Sequence, residues 1–322
     1  MVQETAEVLL VDVMMWNTQP KVTIAVATYD RSRLLAEALR SVQNQKLASW
    51  ECIVVNDGGD DVSSVVASLG DDRFSYVNSS HVGMPNAVNI ALKRRRGKYI
   101  AYLGDDDLWY ANHLELCARY LDEESSIGVV YTKTVKRSCV LTTDGARQVV
   151  ADFVDPLEEF YLDALSSGAP MPIISVVHRS DLLERVGLFK DLPIAEDLEF
   201  LLRLASITEF AHIPIITSEY FVDIGGESRS HKLKRTNPQF YGHIMRSILN
   251  EKPVLYRHRR LRSGRELGYL PEGPILDKLF GSGVFASALK ALSYYYIYSR
   301  RWGSRAALRR MARRMPSARK DT

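Results

Sequence analysis

Tyr99-Ile100-Ala101-Tyr102-Leu103-Gly104-Asp105-Asp106-Asp107-Leu108-Trp109 runs five apolar or aromatic residues through one glycine into three consecutive carboxylates. The first half reads as a buried strand, and the acidic end as the point where that strand opens at a sheet edge. Three adjacent acids repel one another, so folding alone gives little reason to gather them. A divalent cation, or a phosphate held through one, would relieve the repulsion. The other reading of these residues alone is an acidic loop between strand and helix, with Asp107 capping the helix that follows.

Upstream, Lys21 to Ala27 is a β run that ends in Thr28-Tyr29-Asp30-Arg31. Ser32 to Gln43 has helical spacing, with Leu34, Leu35, Ala38, Leu39 and Val42 on one face. Glu51 to Val55 is a second β run, ending in Asn56-Asp57-Gly58-Gly59-Asp60-Asp61. A short helix over Val62–Leu69, a strand near Phe74–Val77 and a helix over Gly83–Arg94, with Pro85 in its first turn, precede the acid-tipped strand. A helix from about Ala111 to Leu121 follows it. This alternation predicts parallel βαβ units in an α/β, doubly wound, mostly parallel sheet flanked by helices. Ligands of such sheets bind beyond the carboxyl ends of the strands, and all three polar tips fall there.

The second half is less regular. The pattern predicts a strand over Ile127–Lys133, a hairpin over Val140–Val150 turning at Asp144-Gly145, and a helix over Leu157–Leu165. An extended segment from Pro170 to Val177 enters another strand, and Asp181–Val186 is helical. Ala195 to Leu204 reads as an amphipathic helix with acids in its first turn, Thr208–His212 and Thr217–Val222 as short strands, and Gly225–Lys234 as a polar loop. From Pro238 onward the spacing is helical, which gives three regions: an N-terminal extension (1–20), an α/β domain (21–235, its halves meeting near 125), and a helical, basic C-terminal region (236–322).

The chain has 322 residues, 46% of them hydrophobic and 25% charged, the composition of a soluble globular protein. Cys52, Cys117 and Cys139 show no metal-ligand spacing, and Cys52 and Cys117 fall in core patterns; an odd count without a leader sequence points to a reducing cytoplasm. Val8–Trp16 is too short to span a bilayer and is interrupted by Asp12. Nine Lys/Arg against one acid lie between Ser299 and Thr322, although the net charge is only +3, so the body is mildly acidic and the tail basic.

Six segments in order, Val22–Arg31, Ile53–Asp61, Gly83–Asn89 with Gly97-Lys98-Tyr99, Ala101–Trp109, Val186–Phe189, and Glu196-Asp197 with Arg203, together resemble the inverting nucleotide-sugar glycosyltransferases of family two, which have the GT-A fold. The likeness covers roughly residues 20–225. It implies transfer of a sugar from a nucleoside diphosphate donor, a UDP- or dTDP-sugar, to a hydroxyl acceptor such as a lipid-linked saccharide. Thr28, Tyr29, Arg31, Asp57 and Asn89 would then bind the donor, with Asp57 accepting from the imide of a pyrimidine base. The three acids match the DXD region, where Gly104 stands in place of the usual first aspartate. Asp105 would substitute toward the ribose, and Asp106, with Asp107 and His231 beside it, would hold Mg²⁺ or Mn²⁺. Asp197 matches the general base, Glu196 lies beside it as an acceptor contact, and Arg203 fixes their helix. Arg229 and His231 would close over the diphosphate; the residues alone read there as a solvated loop.

The basic tail supports two readings, a helix lying on an anionic membrane surface or a solvated terminal helix packed on the domain. The first makes the protein peripheral at the inner membrane face. Nucleic acid is not expected as a partner, since no recognition module accompanies the charge. The rival functions are a sugar-nucleotidyl transferase, which would want a glycine-rich loop after the first strand, and a non-catalytic nucleotide-sugar-binding domain.

Overall fold

Val22, Ile24 and Val26 pack on one side of the first strand and Ala25 on the other, and both sides are covered by apolar residues from helices. Such two-sided burial is why the strand reads as a continuous apolar run rather than an alternating one. The computed structural model describes residues 19–142, 146–154, 172–225, 235–240, 243, 247 and 262–263. β1 (Val22–Thr28) pairs in parallel with β2 (Trp50–Asn56), β2 pairs with β3 (Phe74–Asn78), and β1 pairs on its other side with β4 (Tyr99–Tyr102). α1 (Ser32–Gln43), α2 (Ser63–Ala67) and α3 (Met84–Lys93) are the crossovers. α1 buries Leu34, Leu35, Ala38, Leu39 and Val42, the stripe its spacing predicts. Pro85 sits in the first turn of α3, where its missing N–H costs nothing.

The sheet becomes mixed after β4. β5 (Leu108–Trp109) and α4 (His113–Glu123) lead into β6 (Ile127–Leu141), which pairs antiparallel with β7 (Arg147–Val154). β8 (Val176–Arg179) is inserted antiparallel between β4 and β6. After the short α5 (Leu183–Val186) and α6 (Glu196–Ala205), β9 (Glu209–Asp223) runs parallel to β6, and β5 adds antiparallel to β9. A two-residue β10 (Arg262–Ser263) pairs with β9 and completes a ten-stranded sheet. The carboxyl ends of β1, β2 and β4 therefore lie along one edge, and β9 is brought to that edge by β5.

The predicted elements of the first half stand within a few residues. Three expectations in the second half change. The strand that begins at Ile127 continues to Leu141, so it forms the first arm of the expected hairpin; the Asp144-Gly145 turn is outside the described residues. Thr208–His212 and Thr217–Val222 form one strand across Pro214. Proline has no N–H to give the ladder, and the register jumps there from Thr132↔Ile213 to Lys133↔Ile216, a bulge that carries the strand past it. Ile173–Ser175 is a 3-10 turn rather than extended chain. The helix expected at Leu157–Leu165, the loop beyond Gly225 and the basic tail lie outside the described residues. All three cysteines are buried and free. Among the described residues no helix is long and apolar enough to cross a membrane.

Three histidines are sealed in the core. His113 accepts from or donates to Thr217 Oγ1 at 2.7 Å, and His178 lies between the Tyr102 hydroxyl at 2.7 Å and the Arg179 carbonyl at 2.8 Å. Burial lowers His113 and His212 to about 3 and His178 to about 4. In the unfolded chain each takes up a proton near pH 6.5, so the stability they contribute is present above that value and is lost as the pH falls toward 4. The slope is about 1.4 kcal/mol per pH unit for each histidine inside the window. The urea midpoint should therefore fall between about pH 7 and pH 4.5; a midpoint unchanged over that range would show that these histidines open to solvent without unfolding.

Candidate active site

The site begins where β1 ends. Thr28 is buried, and it joins two of the polar tips: its carbonyl accepts the Asp57 N–H at 2.8 Å, and its hydroxyl donates to Asp105 Oδ2 at 2.8 Å. Asp57 follows β2, and its carboxylate accepts the backbone N–H groups of Val82 (2.7 Å) and Gly83 (3.0 Å) just before α3. A carboxylate has about four acceptor positions, so two remain. The Tyr29 ring is 46% exposed, and its centroid lies 4.7 Å from that of His81 at 45°. His81 Nδ1 is 2.9 Å from the Asp57 carbonyl. Tyr29, His81 and Asp57 thus form a shallow corner with two rings and a carboxylate.

Backbone strain concentrates at this corner. Asp30 (φ 52°) and His81 (φ 53°) are two of only three non-glycine residues with positive φ among those described. Asp30 accepts the Asp60 N–H at 2.8 Å, and a Cβ on Gly59 would sit 2.0 Å from its Oδ1. Gly59 (φ +75°) is therefore required both for its conformation and for the approach of Asp30. Residues held in left-handed conformations cluster at ligand-binding positions because the surrounding structure must over-determine them.

Beyond β4 the three acids diverge. Asp105 is 6% exposed and accepts from Thr28 and from Arg31 Nη1 at 3.1 Å. Burial and the adjacent Asp106 charge push its carboxyl up to about 6. Asp107 is 3% exposed; its Oδ1 accepts the Phe221 N–H of β9 at 2.9 Å, and burial followed by the Asp106 charge raises it well above the carboxylate range. Asp106 alone faces outward, its side chain 33% exposed, with Oδ2 2.7 Å from Arg31 Nη1. A single guanidinium nitrogen therefore contacts Asp105 and Asp106 together. The sequence suggested helix capping as one role for Asp107; the structure gives it the β9 N–H instead, and α4 starts six residues later.

Among the described residues no three His, Cys, Asp or Glu side chains converge as a ready ligand set. Of the acids, only Asp106 presents a carboxylate outward. These residues fit a cation that draws its remaining ligands from a diphosphate and water, as hard divalent ions do when they bind with phosphorylated substrates. His231 and Arg229 lie outside the described residues.

On the other side, Glu196 and Asp197 open α6. Ala195, just before them, is left-handed (φ 57°). Glu196 is 5% exposed, and Asp197 is half-buried with Oδ1 accepting the Leu198 N–H at 2.7 Å. Arg203 anchors this helix, as its position suggests: it pairs with Glu199 at 2.9 Å, and donates to the Leu188 carbonyl at 2.8 Å and to the Val186 carbonyl. Tyr220 of β9 relates the two groups of acids. Burial, then the charges of Asp107, Asp106 and Asp197, push its phenol up to about 12, which puts all three carboxylates within electrostatic range of one hydroxyl.

Asn89 ties two elements together. Its amide donates to the Phe189 carbonyl at 2.8 Å and accepts the Phe189 N–H at 2.9 Å, a buried tie between α3 and the turn after α5. His81, Tyr220, Phe221 and Arg147 were not singled out from the sequence. Arg147, from β7, donates to the Asp106 carbonyl at 2.9 Å. Nothing in the local sequence marks these four, because strand pairing and loop conformation bring them in.

The strand order, with its polar carboxyl-end tips along one edge, is that of the GT-A class of folds, and comparison with known proteins agrees. Residues 23–172 match the sequence profile described as glycosyl transferase family 2. An uncharacterised glycosyltransferase of Rickettsia bellii is 35% identical over 109 residues, which are 33% of this chain and only 16% of that longer relative. An Escherichia coli UDP-Glc:alpha-D-GlcNAc-diphosphoundecaprenol beta-1,3-glucosyltransferase, WfgD, is 33% identical over 97 residues, 30% of this chain and 38% of the relative. The structure of residues 1–349 of S. aureus TarS in complex with UDP-GlcNAc superposes with a TM-score of 0.52 at 16% identity, covering 91% of this chain and 90% of that one. Residues 23–172, just under half of the chain, are thus similar to family 2 glycosyltransferases, and the chain has the GT-A fold.

Gly104, the one departure from the family's acidic pattern, has a steric reason. A Cβ there would lie 2.6 Å from Asp107 Oδ2 and 3.1 Å from Asp106 Oδ1. Asp107 cannot swing aside without giving up its bond to β9. Gly104→Asp should therefore lower the melting temperature by several degrees, from overpacking that costs about 1–3 kcal/mol and from a fourth carboxylate. A melting temperature at or above wild type would show that the loop has room for the side chain.

Proposed function

We propose that the chain transfers a sugar from a nucleoside diphosphate sugar to a hydroxyl acceptor with inversion at the anomeric carbon. The observation that carries this reading is the pair of hydrogen bonds made by Thr28, which fixes Asp57 and Asp105 at one sheet edge with Asp106 turned outward between Arg31 and solvent.

Tyr29 and His81 offer faces for a base, and the acceptor positions left on Asp57 suit an imide N–H, which favours uracil or thymine. The UDP-GlcNAc bound to TarS and the UDP-Glc in the name of WfgD support a uridine donor. Asp105 would face the ribose. Asp106 would hold Mg²⁺ or Mn²⁺, and Asp107 would support it from behind. Such a cation, when bound, neutralises charge growing on the leaving nucleoside diphosphate. Arg31, already beside Asp105 and Asp106, can turn its remaining N–H groups to the diphosphate.

In the displacement the acceptor hydroxyl oxygen forms a bond to the anomeric carbon as the carbon–oxygen bond to the diphosphate breaks on the opposite side. The hydroxyl proton goes to the Asp197 carboxylate, and the bonding pair leaves with the diphosphate. Glu196, buried beside Asp197, would order the acceptor. The diphosphoundecaprenol-linked acceptor in the name of WfgD favours a lipid-linked saccharide here, which would bring the protein to the membrane surface.

Two variants test these roles. In a thermal-shift panel of nucleotide sugars with Mn²⁺, Asp106→Ala should lose the cation-dependent stabilisation that the wild type shows. Asp197→Asn should keep that stabilisation while release of nucleoside diphosphate falls about 10²–10⁴-fold. Stabilisation of Asp106→Ala equal to wild type would remove Asp106 from the cation site. Undiminished turnover by Asp197→Asn would remove Asp197 as the base.

A further inference from the structure

Arg147 reaches the acids from a strand that the sequence marks only as one arm of a hairpin. It opens β7 opposite Leu141, and its side chain is 6% exposed. Nη2 donates to the Asp106 carbonyl at 2.9 Å, and Nη1 donates to Glu37 Oε2 on α1. The guanidinium lies over the Phe221 ring, 4.2 Å from its centroid, and Phe221 gives its own N–H to Asp107 at 2.9 Å. One buried cation thus contacts Asp106 through its main chain, and reaches Asp107 through a single intervening residue.

A hairpin does not need this arrangement. Burying a guanidinium costs several kcal/mol unless its charge and donors are matched, and a simple β pair is made as well by apolar side chains. Arg137, in the same hairpin, shows the ordinary alternative: it pairs with Glu219 of β9 at 2.6 Å. Arg147 differs in that one of its donors, Nη2, reaches the main chain of the loop carrying Asp106.

We propose that Arg147 is a positioning residue for the acid corner: by fixing the Asp106 carbonyl and packing on Phe221, it aims the Asp106 carboxylate outward at the cation and diphosphate. This rests on the reading of Asp105–Asp107 as the cation site. The planar fork matters as well as the charge, because a lysine cannot span the Asp106 carbonyl, Glu37 and the Phe221 ring at once.

The test is direct binding, independent of turnover. Mn²⁺ is titrated into the full chain by electron paramagnetic resonance in the presence of UDP, dTDP or GDP, using whichever diphosphate the wild type takes up with the ion. Arg147→Ala should weaken Mn²⁺ affinity at least tenfold, Arg147→Lys should recover only part of that loss, and Arg137→Ala should stay within about twofold of wild type. Affinity of Arg147→Ala within twofold of wild type would overturn the proposal, as would an equal loss in Arg137→Ala, which would mean that hairpin integrity alone matters. If Arg147→Ala does not fold, Arg147→Lys decides: about a fivefold loss supports the role, and wild-type affinity overturns it. No Mn²⁺ uptake by wild type with any of the three diphosphates would instead remove the cation reading of Asp105–Asp107.

Discussion

Mutual repulsion among Asp105, Asp106 and Asp107 is the constraint around which the sheet edge is arranged. Three carboxylates on consecutive residues can be kept together only if each has its own source of positive charge or N–H. The fold supplies these from four elements: Thr28 at the end of β1, Arg31 just after it, the Phe221 N–H on β9, and Arg147 on β7. Two acids are buried and held at raised pKa, and the third is left facing solvent. The repulsion is thereby concentrated where a diphosphate-bound cation would relieve it, and the protein need not build a full metal cage.

The two halves of the fold meet at this corner. The parallel half sets Thr28, Asp57 and the acids at the same height, because its strands pair in register. The mixed half contributes β9, which receives β5 antiparallel and so presses the acidic loop against Phe221. The neighbouring Tyr220 then feels the charges of Asp106, Asp107 and Asp197 together. The Asp106, Asp107 and Asp197 carboxylates are thus related by one strand.

Much of this was legible in the sequence, for reasons of periodicity. Strands buried on both faces give unbroken apolar runs, and α1 shows its stripe at Leu34, Leu35, Ala38, Leu39 and Val42 because one face alone is covered. The polar tips stood out because nothing in a core explains them. What sequence could not give was anything set by long-range pairing. Asn89 is chemically a plausible donor ligand, and only the approach of Phe189, a hundred residues on, shows where its amide is used. Arg147 and Phe221 join the site through hairpin and strand register. Thr208–His212 and Thr217–Val222 were read as two strands, yet a bulge carries β9 across Pro214 between them. The place of Gly104 became intelligible only once the position of Asp107 Oδ2 was known.

An anomalous-difference map from crystals grown with Mn²⁺ and a nucleoside diphosphate tests the central claim most directly. The arrangement at β4 requires one manganese peak against the Asp106 carboxylate, bridged to the diphosphate, with the base toward Tyr29 and Asp57. A diphosphate bound elsewhere, with no peak beside Asp106, would mean that the three acids are gathered for some other reason.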